Sequence, residues 1–174
     1  MGVELSNNLK WEKHINNIVS KASRLLGMLA RVLRTADTKT RKVAYETLIR
    51  PGLEYGCQVW DPYLKSDINK LEKLQNRALR FIFRLRGQVS FTKLREGTGI
   101  LSLKERRKEL RKKLFYKVKS TGVIKDPFNT LRDHTHNTRQ PLGLQLPSIK
   151  TNALYNSFWP RTTRDIRDAT IGHS

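Results

Sequence analysis

A formal excess of +20, from 35 Lys and Arg against 15 Asp and Glu in 174 residues, limits what this chain can become more than any other feature. Folding brings like charges together, so a compact state must hold its cations at the surface and gains from a polyanionic partner. Nucleic acid phosphate is the commonest such partner. Hydrophobic residues at 37% still allow one domain with a modest core. No run approaches the ~18 apolar residues of a membrane span, and the N-terminus lacks the apolar stretch of a signal peptide. An intracellular protein, nuclear or cytoplasmic and without a membrane partner, is therefore expected. Cys57 has no second cysteine to pair with and is expected to be a small buried residue.

Apolar spacing gives a mainly α chain. Gly2 to Leu5 reads as a short extended piece, followed by a turn at Ser6-Asn7-Asn8. In the first helix Ile15, Ile18, Val19, Ala22, Leu25, Leu26, Leu29 and Leu33 share one face, with Lys13, Arg24 and Arg31 opposite. Asp37 or Thr38 caps a second helix through Val43, Ala44, Leu48 and Ile49, which Pro51 is expected to stop. The segment Arg50 to Pro62 supplies Tyr55 and Trp60 as bulky core anchors. Ser66 or Asp67 caps a third helix to Arg84, with Leu71, Leu74, Ala78 and Ile82 buried. On its far side Lys70, Lys73, Arg77, Arg80 and Arg84 form a row ~21 Å long at ~1.5 Å per residue. Cations three and four residues apart repel and weaken a helix, so the row is better explained by a phosphate backbone than by solubility. Ser102 and Glu105 have capping-box spacing and start a last helix with Leu103, Leu110, Leu114 and Val118 as its stripe. Between Lys104 and Lys119 it holds nine basic and two acidic residues. From Gly122 onward, prolines break the periodicity and an irregular tail is expected, although Leu142, Leu144, Leu146, Ile149, Tyr155, Phe158 and Trp159 are too apolar for a free linker and are expected to dock. The organisation read is 1–10, a helical domain over 11–121, and the tail over 122–174.

Joining or cutting nucleotides by two metals needs carboxylates converging on one point. The acids here are scattered, with no Asp-Asp pair, and there is no phosphate-binding glycine loop, G-x-S-x-G or H-E-x-x-H. His134 and His136 lack a third ligand at a usual spacing and are not assigned to a metal. His14, three residues after Trp11, is read as packing or hydrogen bonding at a helix edge. No complete enzyme is encoded by these residues.

Particular segments carry a resemblance. Met1 to Asn16, Arg50 to Tyr63, Leu71 to Phe83, Leu101 to Arg107 and Ser157 to Ile166 are together similar to the C-terminal part of reverse transcriptases from non-LTR, LINE-like retrotransposons. The resemblance implies a right-hand polymerase fold in which Gly2 and Val3 end the palm and Trp11 to about Gly122 is a helical-bundle thumb along the template-primer duplex. It also implies that the catalytic carboxylates, and the magnesium they would hold, belong to a palm upstream of Met1. No catalytic residue or cofactor is expected in this chain.

The function expected is a non-sequence-specific grip on an RNA-DNA or DNA duplex. Lys70, Lys73, Arg77, Arg80 and Arg84 are the first candidates, then Lys13, Arg24 and Arg31, then Arg106, Arg107, Lys108, Arg111, Lys112 and Lys113. Two alternatives stand beside it. One is a piece of an active polymerase completed by upstream sequence. The other is a basic helical remnant that binds another protein.

Overall fold

The structure, a computed structural model, describes residues 2–6, 10–122 and 148–171. It is mainly helical, as the periodicity requires, and no strand occurs among the described residues. The turn expected at Ser6-Asn7-Asn8 falls largely outside them, as do His134, His136 and the apolar residues Leu142, Leu144 and Leu146. The contacts divide the chain into two compact units, Met1–Arg107 and Lys108–Ser174.

In the first unit α1 (Glu12–Val32) buries Ile15, Ala22, Leu26 and Leu29 and leaves Lys13, Arg24 and Arg31 exposed. Gly2 to Ser6 forms no strand, but it is tied to α1 through Glu4, whose N–H donates to His14 Nδ1 at 3.2 Å. His14 thus packs and bonds at the helix edge, with its ring edge-on to Trp60 at 5.2 Å between centroids.

Asp37 caps α2 (Thr38–Ala44), accepting from the Thr40 N–H at 3.1 Å. Pro51 does not end the helical course. A π-helical turn, Tyr45–Ile49, carries it into α3 (Arg50–Glu54), where Pro51 occupies the first turn and its missing N–H breaks no bond. The wider turn shifts the register, so the side facing the core is Arg41, Tyr45 and Ile49, while Val43 and Leu48 are exposed. Tyr55 and Val59 are likewise exposed, and the anchors of this region are Leu53, Cys57 and Trp60. Trp60 lies in α4 (Cys57–Trp60), and its indole N–H donates to Tyr55 O at 2.8 Å. Gly56, before α4, has φ +62°, and a Cβ there would meet Val3 Cγ2 at 3.1 Å.

The long helix α5 (Lys65–Phe83) starts earlier than a Ser66 or Asp67 cap would allow, and no side chain caps it. Asp67 lies instead in its first turn, buried against Lys70. Leu71, Leu74, Ala78, Leu79 and Ile82 form its core face. Gln75, also buried, ties α5 to the chain at 101–103. Its Nε2 donates to Leu101 O at 2.9 Å, and its Oε1 accepts from Leu103 N–H at 3.2 Å. A short helix α6 (Phe91–Thr98) brings Arg95 to Glu72, Gln75 and Asn76 of α5.

Helix α7 (Leu103–Thr121) begins with its early donors satisfied: Leu103 by Gln75, Lys104 by Glu72, and Glu105 by Ser102 Oγ in the expected capping box. Its buried positions are Leu103, Arg107, Arg111, Phe115 and Val118, with Leu110 and Leu114 half-buried. Two arginines therefore occupy the stripe where leucines are expected.

In the second unit, part of the segment read as an irregular tail is helical: α8 (Asn152–Tyr155) and α9 (Phe158–Ile171). Pro160 disguised α9, yet it lies in the first turn, where a proline is harmless. Ile166 is buried with Phe115, and Phe158 and Trp159 pack against them, Trp159 edge-on to Phe115 at 5.5 Å.

Candidate nucleic-acid interface

Helices α1 and α5 run in the same direction, because successive residues of one meet successive residues of the other. Lys70 reaches Glu12 at 3.5 Å, Arg77 Nη1 donates to Ser23 Oγ at 3.4 Å, and Arg84 Nη2 donates to Arg34 O at 2.5 Å and Ala36 O at 3.3 Å. The basic row of α5 therefore meets the seam between the two helices at Lys70, Arg77 and Arg84. Its members differ in what they can offer. Lys70 is half-buried and held by Asp67 at 3.1 Å; that bond raises its pKa and outweighs burial, which lowers it. Arg80 is half-buried, donates to Gly87 O at 2.9 Å and lies over the Phe91 ring. Lys73, Arg77 and Arg84 are exposed.

Arg84 has a further peculiarity. It ends α5 in the left-handed region at φ 52°, a position that normally takes glycine. Its two bonds to carbonyls of the α1–α2 connection offset that strain.

On α1, Arg24 and Arg31 are exposed, away from the core. Lys13 is exposed but paired with Glu4 at 2.6 Å, which raises the lysine pKa and lowers that of the carboxyl.

The α7 candidates divide sharply. Arg106 is half-buried on Glu54. Arg107 has no exposed surface and its Nε donates to Asp61 Oδ1 at 2.7 Å. In the second unit Arg111 is buried with Nη2 2.7 Å from Asp165 Oδ2, and Lys108 lies 3.5 Å from the same carboxylate. Lys112 is half-buried and Lys113 exposed. The heavy charge of this helix is thus partly explained by inward ion pairs, which spacing alone hid, because the partner acids lie about fifty residues away in sequence.

Sequence reasoning also missed three arginines. Arg34, Arg41 and Arg86 join Arg80 and Arg84 around a depression of about 440 Å³ formed by the end of α1, the start of α2 and the end of α5. Each lies at or near a helix end, outside any periodic row, so only the tertiary fold assembles them. Among the described residues no group of three or more His, Cys, Asp and Glu could hold a metal, and no helix is long and apolar enough to cross a membrane.

A mainly helical, strongly basic chain with its cations along a helix seam is the class that these observations define. Over 85 residues, 47% of this chain, it is 28% identical to a probable RNA-directed DNA polymerase from transposon BS of Drosophila melanogaster. Over 89 residues, again 47%, it is 27% identical to the corresponding protein of transposon X-element from the same organism. The chain thus resembles transposon reverse transcriptases, as its wording suggests, although the matches span only 9% of those relatives' length. No family model and no solved structure matches it.

Proposed function

We propose that this chain is the duplex-gripping, thumb-like part of a retrotransposon RNA-directed DNA polymerase, holding template and primer through phosphate contacts without reading sequence. The observation that carries this reading is the set of exposed cations on the two packed helices: Lys73, Arg77 and Arg84 on α5, of which Arg77 reaches across to α1 and Arg84 to the connection after it, and Arg24 and Arg31 on α1. Repulsion among them weakens the fold in isolation and is relieved by a strand of phosphates. The relatives' description as probable RNA-directed DNA polymerases supports nucleic acid as the partner, and bond-making with its magnesium falls to a palm outside these residues. No catalytic residue is carried over.

Binding of a labelled duplex to the chain and to a variant with Arg24→Gln, Arg31→Gln and Lys73→Gln tests it. The variant is expected to bind more weakly on every sequence alike, with the salt dependence reduced by about one for each cation removed. Unchanged binding by the variant would place the contact elsewhere.

A further inference from the structure

The five-arginine depression takes in Arg80 and Arg84 from the end of the linear row but differs from it, because it is concave and gathers charge at one point. Arg34, Arg41, Arg80, Arg84 and Arg86 line it together with Phe81. Among the described residues none of the five has a carboxylate within ion-pair distance, although the acids elsewhere in this unit are largely taken up by other cations. The nearest acid in sequence is Asp37, whose carboxylate caps α2. What the arginines do bond is backbone carbonyl oxygen. Arg41, buried, donates Nε to Asp37 O and Nη1 to Phe81 O at 2.7 Å; Arg80 donates to Gly87 O, and Arg84 to Arg34 O and Ala36 O. Carbonyls fix a guanidinium in place without neutralising it, and each guanidinium keeps further donors from its set of five. Burial, with the charge of Arg84 next, lowers the Arg41 pKa, and the Asp37 carboxylate opposes this only in part.

We infer that this depression is a binding site for clustered phosphates, two or more phosphate groups linked or closely spaced, as in the triphosphorylated end of a nucleic acid strand or a free polyphosphate. A lone phosphodiester brings one negative charge and leaves most of the cluster unneutralised, whereas linked phosphates bring several charges and oxygens suited to bidentate guanidinium contacts. Only the choice of a strand as the source rests on the nucleic-acid reading above.

The test compares three probes on the full chain: a single-stranded oligonucleotide with a 5′-hydroxyl, the same oligonucleotide with a 5′-triphosphate, and inorganic tripolyphosphate as competitor. The variant is Arg34→Ala with Arg86→Ala, two side chains at the rim of the depression, so the fold should survive. The triphosphate end is expected to bind about tenfold tighter than the hydroxyl end, and the variant to lose that advantage. Tripolyphosphate is expected to abolish the advantage as well; equal affinity for it and for the strand end would identify polyphosphate alone as the ligand chemistry. Equal binding of the two oligonucleotide ends by the unaltered chain, or an advantage untouched by the variant, would overturn the inference. Failure of the duplex-gripping reading looks different, since it removes salt-dependent duplex binding while tripolyphosphate still binds.

Discussion

Arg107 can hold its charge with no exposed surface because Asp61 Oδ1 sits 2.7 Å from its Nε. Removing one partner strands the other. Asp61→Ala is expected to destabilise the fold by about 3–5 kcal/mol, whereas Asp61→Leu combined with Arg107→Met should recover most of that loss. Urea unfolding of the single and double variants checks this, and equal losses would mean that the pair is not the source of the effect. His14 gives a residue-level pH signature. Burial holds its imidazole below the ordinary value, and its Nδ1 must stay unprotonated to accept from Glu4 N–H. Unfolded histidine takes its proton near pH 6.5, so between that value and the lower folded one the unfolded chain binds more protons, and stability rises with pH. Stability is thus fully present above about pH 6.5 and falls as pH drops below it. Carboxylates such as Glu4, Asp37 and Glu105, whose pKa values are lowered by their hydrogen bonds, add their loss only at more acid pH. Thermal unfolding between pH 5 and pH 7 should show this slope, and His14→Asn, which keeps an acceptor but cannot titrate, should flatten it.

Among the elements, α1, α5 and the capping box of α7 were legible because their signals are local: apolar residues at three- and four-residue spacing, and a Ser-x-x-Glu pair. What was hidden depends on partners distant in the chain. The π-helical turn before Pro51 changes which side of α2 and its extension faces inward, and no spacing rule announces it. The buried stripe of α7 contains Arg107 and Arg111 because Asp61 and Asp165 are folded onto them. Similarly, α9 was concealed by Pro160, and its packing needs Phe115 from another helix. The start of α7 makes the same point energetically, since Gln75 of α5 satisfies both Leu101 O and Leu103 N–H. Gln75→Leu keeps the volume but leaves both groups unpaired, and is expected to cost about 2–4 kcal/mol by chemical denaturation. A loss below the error of the measurement would show that this junction is not what fixes α7.

For the whole molecule, the net charge of +20 points to a polyanionic partner but not to the surface that would meet it. Of the fourteen cations singled out by sequence, Arg24, Arg31, Lys73, Arg77 and Arg84 are exposed on α1 and α5, whereas Arg107 and Arg111 are buried. The Arg34, Arg41 and Arg86 side of the depression was not legible, because helix ends meet there only after folding. Cations spaced along a seam imply counter-ion release on binding, and its size can be measured. Affinity for a labelled duplex, followed from low to moderate salt, tests the central claim most directly. With about five phosphates neutralised, log affinity should fall against log salt with a slope of about −4 to −5; an affinity that stays flat as salt rises would contradict it.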